Sequence, residues 1–179
     1  MKKKWIICVI TVLMFGSLAA GNLAADVQYD IGLNVPVLMG IKTTEGDAQE
    51  VLDYVFVIPD LKVHYFWDAD PFRIGVGARA FTVILETLFY PMVTAEIDIN
   101  MFRLTGSFGG GLFVFFGLWN SIETSSVFIP ELTAAYMVND WFHLGLGTSF
   151  ILAGNNDVFK DTMPYVVYGF GRFSLGGKK

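Results

Sequence analysis

The sequence predicts an all-β protein, an eight-stranded antiparallel up-and-down transmembrane β-barrel. The chain of 179 residues is 54% hydrophobic and 16% aromatic, which is too apolar for an ordinary secreted domain. Beyond the first 25 residues, no apolar run reaches the roughly 18 to 20 residues that cross a bilayer as a helix. Apolar residues instead alternate with polar or small ones over segments of about ten residues, which is the pattern of membrane-barrel strands. A hydrophobic chain without spanning helices can satisfy its backbone in lipid only as a closed barrel.

The N-terminal segment has the features of a secretory signal peptide. Three lysines at positions 2–4 precede an apolar stretch from Trp5 to Phe15, and small residues follow it. We predict a signal peptide over residues 1–25, with cleavage between 19 and 25; the alternative is a membrane anchor, for which the stretch is short. The single cysteine, Cys8, would leave with this peptide. The remaining domain, residues 26–179, would then have no disulfide, thiolate metal site or cysteine nucleophile.

The charge of the chain argues against a nucleic-acid partner. There are 12 lysines and arginines against 17 acids, and loss of the three N-terminal lysines leaves a net charge of about −8. Polyphosphate binding needs a clustered basic surface, and the sequence shows none. The run Gly109-Gly110-Gly111 is not a phosphate loop, because no lysine follows it and it falls within a strand pattern.

The first strand is predicted from Val27 to Ile41. Its odd positions are apolar, whereas Gln28, Asp30 and Asn34 occupy even ones. A helix would not give this period of two. Seven more segments follow the same pattern, at residues 59–67, 73–80, 93–99, 103–118, 128–138, 142–152 and 165–175.

The connections between these segments alternate in length. Short links are predicted at 68–71, 100–102 and 139–140, and longer ones at 42–53, 86–91, 119–126 and 154–163. In outer-membrane barrels the short turns are periplasmic and the long loops face outside. Aromatic residues are expected at the two interfaces. The periplasmic set is Tyr29, Trp67, Phe72, Trp141, Phe142 and Phe173, and the outer set is Phe89, Tyr90, Trp119, Phe128 and Tyr165.

The inward phase carries charges of both signs in equal number. The acids are Asp30, Asp60, Glu96, Asp98 and Glu131, and the bases are Lys62, Arg73, Arg79, Arg103 and Arg172. An eight-stranded barrel is just wide enough for side chains to fill it, and an isolated charge there costs several kcal/mol. We therefore predict a salt-bridged network that plugs the lumen; the alternative is a proton or ion path that also uses His64 and His143. Glycines 75, 77, 109, 111, 145 and 147 are expected to make room for the arginines or to let the strands bend.

Catalysis is not predicted. The best candidates are His143, Ser149 and Glu131, but a histidine and a serine six residues apart on a strand lie about 20 Å apart, too far for proton transfer. Both would also point into the lumen, whereas an enzyme acting on lipid needs its nucleophile on the outer wall. With two histidines and no mature cysteine, no transition-metal site or other cofactor is expected.

The predicted mature chain resembles the small eight-stranded outer-membrane proteins, namely the OmpA transmembrane domain, OmpX and OmpW-like families. The resemblance is one of architecture, and the segment 130–147, a strand, a tight turn and a strand, is its most barrel-like part. These families usually end on an aromatic residue, whereas this chain passes Phe173 and ends Gly176-Gly177-Lys178-Lys179. The resemblance implies a location in the bacterial outer membrane, with outer-membrane lipids and the barrel-assembly machinery as partners.

Three functions follow as hypotheses. The first is a structural or surface-contact protein of the cell envelope, and the second is a narrow, porin-like conduit for small, hydrophobic molecules. The third, less favoured, is a lipid A-modifying enzyme. The surface-exposed loop at 42–53 carries four acids and one base, which suits either an extracellular ligand or simple solvation. A soluble lipocalin-like barrel would carry its polar residues outside, and the charged phase is too poor in charge to coat such a surface.

Overall fold

The computed structural model describes residues 26–43, 46–50, 56–69, 71–83, 85–118, 120–153 and 162–176. The predicted signal peptide and its cleavage site lie outside the described residues, as do Trp119, residues 154–161 and the last three residues. Among the described residues, no helix is long and apolar enough to cross a membrane.

Eight long strands and two short ones make up the described fold. They are β1 (Asp26–Thr43), β2 (Gly46–Glu50), β3 (Ile58–Ala69), β4 (Phe72–Val83), β5 (Glu86–Ile99), β6 (Phe102–Phe116), β7 (Ser121–Asn139), β8 (Phe142–Phe150), β9 (Leu152–Ala153) and β10 (Thr162–Gly176). The short strand β2 pairs with the end of β1, and β9 pairs with Val127 and Phe128 of β7. Each predicted strand overlaps one of the eight long ones.

The eight long strands close into an up-and-down barrel. Each pairs antiparallel with the next long strand along the chain, in the order β1, β3, β4, β5, β6, β7, β8, β10. The ring is closed by β1 and β10, which are paired from Gln28–Gly176 to Thr43–Thr162. Closure leaves none of the eight strands with an unpaired edge. The predicted fold class is confirmed.

Two of the four predicted long connections are wrong, because most of their residues belong to strands. Residues 86–91 belong to β5 and residues 121–126 to β7. The β4–β5 ladder runs to the pair Val83–Glu86, and Pro91 stands where the β5–β6 ladder is irregular. An acid and a proline suggested a loop, but a proline is tolerated at a bulge, where its missing N–H is not needed. At the other end, short turns follow β5 and β7 at 100–101 and 140–141, close to the predicted positions; residue 70 of the third predicted turn lies outside the described residues.

The two faces of the wall have opposite chemistry. In β1 the side chains of Val27, Ile31 and Leu33 are exposed on the outside, whereas Asp30 and Asn34 are buried inside. The same alternation follows β3, β5 and β7. An apolar exterior around a polar interior is the inverse of a soluble barrel.

One bulge changes the predicted phase of β1. The β1–β10 ladder shifts register between Pro36 and Leu38, and a bulge of this kind turns the following side chains to the other face. Met39, which the sequence pattern placed on the lipid face, consequently lines the interior.

Aromatic rings gather at the end of the barrel that carries the short turns. Trp141 stacks on Phe173 with ring centroids 5.6 Å apart, and Phe142 lies 4.9 Å from Phe173. The opposite end differs from the prediction, because Tyr90 points into the lumen and is only 1% exposed.

Several lumen glycines lie directly across from aromatic rings. Gly75 pairs with Phe66, Gly145 with Phe170 and Gly147 with Tyr168. A Cβ atom added at Gly75 would lie 2.7 Å from the ring of Phe66, and one at Gly147 would lie 2.4 Å from that of Tyr168. At Gly75, Gly145 and Gly147 the immediate neighbours are therefore rings and not arginines. Two arginines lie one layer further in, with Arg73 over Phe66 and Arg172 over Phe170, both at 4.5 Å.

A glycine substitution tests this packing. Gly109 lies under Tyr90, and an added Cβ would approach the ring to 2.4 Å. We expect Gly109→Ala to lower the free energy of unfolding by about 1–3 kcal/mol, because the ring must leave its position. The measurement is denaturant unfolding of the barrel refolded into lipid vesicles.

Gly106 is the matched control on the same strand. A Cβ there would meet only the Leu132 side chain, at an ordinary 3.5 Å. We expect Gly106→Ala to stay within about 0.5 kcal/mol of the wild type. Equal effects of the two substitutions would contradict the proposed role of the close approach.

Candidate functional site in the barrel lumen

Five charged side chains form a network at the middle of the lumen. Arg79 donates from Nε to Asp60 Oδ1 at 2.7 Å and from Nη2 to Asp60 Oδ2 at 3.1 Å. It also donates from Nη1 to Glu131, whose other oxygen accepts from Lys62 Nζ. Arg172 Nη2 lies 3.7 Å from Asp60 Oδ2. All five residues are buried.

The barrel order explains why the network crosses the lumen. Lys62 on β3 stands directly opposite Arg79 on β4, so two like charges are neighbours on one side of the wall. Glu131 comes from β7, four strands from β3 in either direction around the barrel. The Lys62–Glu131 ion pair therefore spans the interior from one wall to the opposite one.

A second cluster of polar side chains, centred on Asp30, lies towards the short-turn end. Gln28 Nε2 donates to Asp30 Oδ1 at 2.9 Å, and His64 Nε2 lies 3.8 Å from the other Asp30 oxygen. His143 Nδ1 lies 3.3 Å from Ser174 Oγ. Ser149, the serine weighed with His143 from the sequence, lies further along β8 and lines a different part of the interior.

The short-turn rim carries the remaining predicted charges. Arg103 makes a bidentate contact with Asp98, at 2.7 and 2.8 Å, and its Nη1 lies 3.5 Å from Glu96. Arg73 Nη1 lies 3.4 Å from the same Glu96 oxygen. Nine of the ten predicted lumen charges thus lie within 4 Å of an oppositely charged side chain of lysine, arginine, aspartate or glutamate. Asp30 is the tenth. It contacts Gln28 and His64 as described above, and Lys62 stands opposite it in the β1–β3 ladder.

Above the central network, towards the long connections, the lumen is apolar. A cavity of about 220 Å³ lies there, next to a cluster formed by Tyr90, Phe113 and Ile129. Sequence reasoning missed this part of the lumen. The signal was present in the inward phase of two predicted strands, where Ile129, Tyr168 and Phe170 share a face with Glu131 and Arg172.

No group of three or more histidine, cysteine or acidic side chains among the described residues is arranged to hold a metal ion.

The exterior and interior together define a class of protein. A closed barrel of eight antiparallel strands, with an outward apolar wall and an inward charged network, is a transmembrane β-barrel of the small eight-stranded kind.

Comparisons with known proteins find similar solved structures. No family model and no curated protein sequence matches the chain. Among solved structures it is similar to Neisserial surface protein A (14% identity, TM-score 0.46, 83% of this chain and 96% of the other). It is also similar to Ail, the attachment invasion locus protein of Yersinia pestis (13%, 0.41, 84% and 99%). A third is the N-terminal β-barrel domain of Pseudomonas aeruginosa OprF (8%, 0.47, 84% and 97%). The class assignment itself rests on the barrel's own two faces.

The contribution of the central network to stability can be tested by substitution. Replacing Glu131 by glutamine leaves Lys62 and Arg79 with Asp60 as the nearest carboxylate. We expect Glu131→Gln to lower the free energy of unfolding by about 3–5 kcal/mol, since it uncovers buried charge. Denaturant unfolding in lipid vesicles measures the change.

Two further variants give the comparison. Asp98→Asn removes an acid at the exposed rim, and we expect a loss of about 1 kcal/mol or less. The double variant Glu131→Gln with Lys62→Met removes one charge of each sign, and it should be more stable than Glu131→Gln alone. If the double variant were less stable than the single one, the central network would not be held by charge pairing.

Proposed function

We propose that the protein is an integral barrel of the bacterial outer membrane whose lumen is closed by salt bridges, and that it acts as a structural or surface-contact component of the envelope. The observation that carries the proposal is the bonding of Glu131, from β7, to Lys62 and Arg79 on the far wall. A connection from wall to wall at mid-height occupies the path that an ion would take.

The energetics of these contacts support closure. An ion moving through the middle of the lumen would have to displace Lys62 or Arg79 from Glu131, and breaking a buried pair leaves an uncompensated charge. The arginines suit a fixed role, because the planar guanidinium of Arg79 contacts both oxygens of Asp60 at once. Rings packed over glycines fill space around them.

The outer wall supports the proposed location. The exposed side chains of β1 and β7 include Ile31, Leu33 and Leu132, and an apolar exterior of this extent is stable only in lipid. The aromatic group at the short-turn end, Trp141 with Phe142 and Phe173, suits a membrane–water interface. The predicted signal peptide would bring the chain to that membrane.

A conduit for small hydrophobic molecules is the second candidate. The apolar cavity above the central network favours it, because such a molecule could enter the barrel from the end with the long connections. Passage through the barrel would still require the five central charges to part.

Ion conductance tests the closed lumen. We expect the wild-type chain in planar bilayers to pass no measurable current, with unboiled-gel migration confirming that it is folded. The variant Lys62→Ser, Arg79→Ser, Glu131→Ser should conduct, because it removes the connection between the walls. Glu131→Ala alone serves if the triple variant does not fold.

Leu132→Ser is the matched control. It lies next to Glu131 but faces outward and is 63% exposed, so it should stay silent. A wild-type current as large as that of the triple variant would refute the closed lumen, and wild-type uptake of an apolar dye into vesicles without ion current would favour the conduit.

A further inference from the structure

The outer wall of the barrel carries a groove that spans β5 to β8. Its volume is about 600 Å³, and outward-facing side chains of these strands line it. Three leucines stand up from the wall here: Leu104, Leu132 and Leu146 are 44%, 63% and 64% exposed. Each lies directly opposite a small residue, with Leu132 opposite Gly106 and the other two leucines opposite Ala134. The step in height between these neighbours forms the groove.

The floor of the groove is main chain. It is bordered by Glu96, Thr105, Thr133 and Gly147, which are paired in one row across four strands. The side chains of the first three are buried in the lumen, so a molecule outside the barrel meets only their backbone. Neighbouring strands are about 4.8 Å apart, so the row is about 14 Å long. That length is close to the hydrocarbon thickness of one leaflet, about 15 Å.

The groove has the width of a single hydrocarbon chain. Successive outward side chains of one strand, such as Leu104 and Gly106 on β6, are about 7 Å apart. A polymethylene chain fits between two such rows, whereas a second β-sheet packs about 10 Å away because of its own side chains. The outer wall of a transmembrane barrel is covered by lipid, and the groove is continuous with that surface. The occupant that fits it is therefore an acyl chain.

The depth of the groove indicates which leaflet supplies the chain. Phe72, the first residue of β4, lines it. Gly106 lies four residues from the start of β6, and Ala134 lies five residues from the end of β7. At about 3.3 Å per residue and a tilt of about 40°, these two residues are about 10–13 Å from the short turns. Since the apolar band is about 25 Å tall, the groove extends from the short-turn interface to about the middle of the bilayer, within the periplasmic leaflet.

Packing favours a chain that stays in the groove. Lipid tails are as apolar as leucine, so contacts within the membrane are driven by van der Waals packing and not by the hydrophobic effect. Where tails bridge over a groove, the atoms that line it lose their contacts on that side. A chain that lies in the groove contacts Leu104, Leu132 and the bare backbone at Gly106. Exchange with bulk lipid would give up these contacts.

We propose that this groove binds one acyl chain of a phospholipid from the periplasmic leaflet and holds that lipid on the barrel for longer than the other lipids around it. The choice of leaflet rests on the proposed location in the outer membrane, whose periplasmic leaflet consists of phospholipid. The site goes beyond the proposed closed barrel, because a lipid on the outer wall does not depend on the state of the lumen.

Native mass spectrometry tests the proposal. We would titrate dioleoyl-phosphatidylethanolamine into the full chain refolded in non-ionic detergent and count the lipids that stay bound when the micelle is removed. We expect saturable retention of one lipid per barrel. Ala134→Leu should weaken retention about tenfold, because the new side chain fills the low point of the wall between Leu104 and Leu146. Gly106→Leu fills the groove from β6 if the first variant does not fold.

The matched control is Ala80→Leu, which makes the same substitution on the outer face of β4, away from the groove. It should retain the lipid as the wild type does, and unboiled-gel migration confirms that each variant is folded. Lipid A, the lipid of the other leaflet, serves as the competing ligand in the same titration. We expect it to be retained about tenfold less tightly than the phospholipid.

Three results would overturn the proposal. One is the absence of retained lipid, or equal retention by the Ala134→Leu and Ala80→Leu variants. Another is a wild-type dimer that Ala134→Leu abolishes, which would make the groove a contact between two copies of the chain. The third is retention of lipid A as tight as that of the phospholipid. Ion conductance, measured on the same preparations, reports on the closed lumen separately, so either proposal can fail without the other.

Discussion

The interior of this barrel depends on the contacts of Glu131 with Lys62 and Arg79 across the lumen. The like charges of Lys62 and Arg79 are adjacent on β3 and β4, and that arrangement is stable only if carboxylates reach both. Asp60 supplies one from β3 itself, and Glu131 supplies the other from the opposite wall. The narrowness of an eight-stranded barrel makes this reach possible, because its diameter is about two side chains.

The glycines are part of the same arrangement. Where Gly75 and Gly145 face the lumen, the neighbouring strand lays Phe66 or Phe170 over the bare backbone, and Arg73 or Arg172 stacks on that ring. A ring over a glycine rescues packing that the missing side chain would otherwise lose. The same ring gives a guanidinium an apolar face to rest on while its edges bond acids.

The period of two was sufficient to predict the barrel and its eight strands, because a shift of one residue would have turned charged side chains towards lipid. The period of two could not predict which side chains pair across the lumen. Nothing local in the sequence relates Glu131 to Lys62, 69 positions away, or brings Ser174 rather than Ser149 to His143. Tyr90 was misplaced because Glu86 and Pro91 suggested a loop, although the alternation of buried and exposed side chains in β5 continues from Glu96 back through Pro91 to Tyr90.

The missed bulges and the missed cavity have one cause. Register irregularities occur at Pro36–Leu38 in β1, Phe89–Met92 in β5 and Gly110–Leu112 in β6, all in the half of the barrel nearer the long connections. The charged half below them has one irregularity, between Met137 and Asn139 at the short turn. Its ladders are otherwise regular, and in them Arg73 meets Glu96 and Arg103 meets Asp98 in register. Bulges bend strands and re-aim side chains, and in β1 the result is that Met39 joins the wall of the cavity. Strict alternation therefore describes the half that holds the ion pairs, and its breakdown marks the half where the interior is apolar and leaves space.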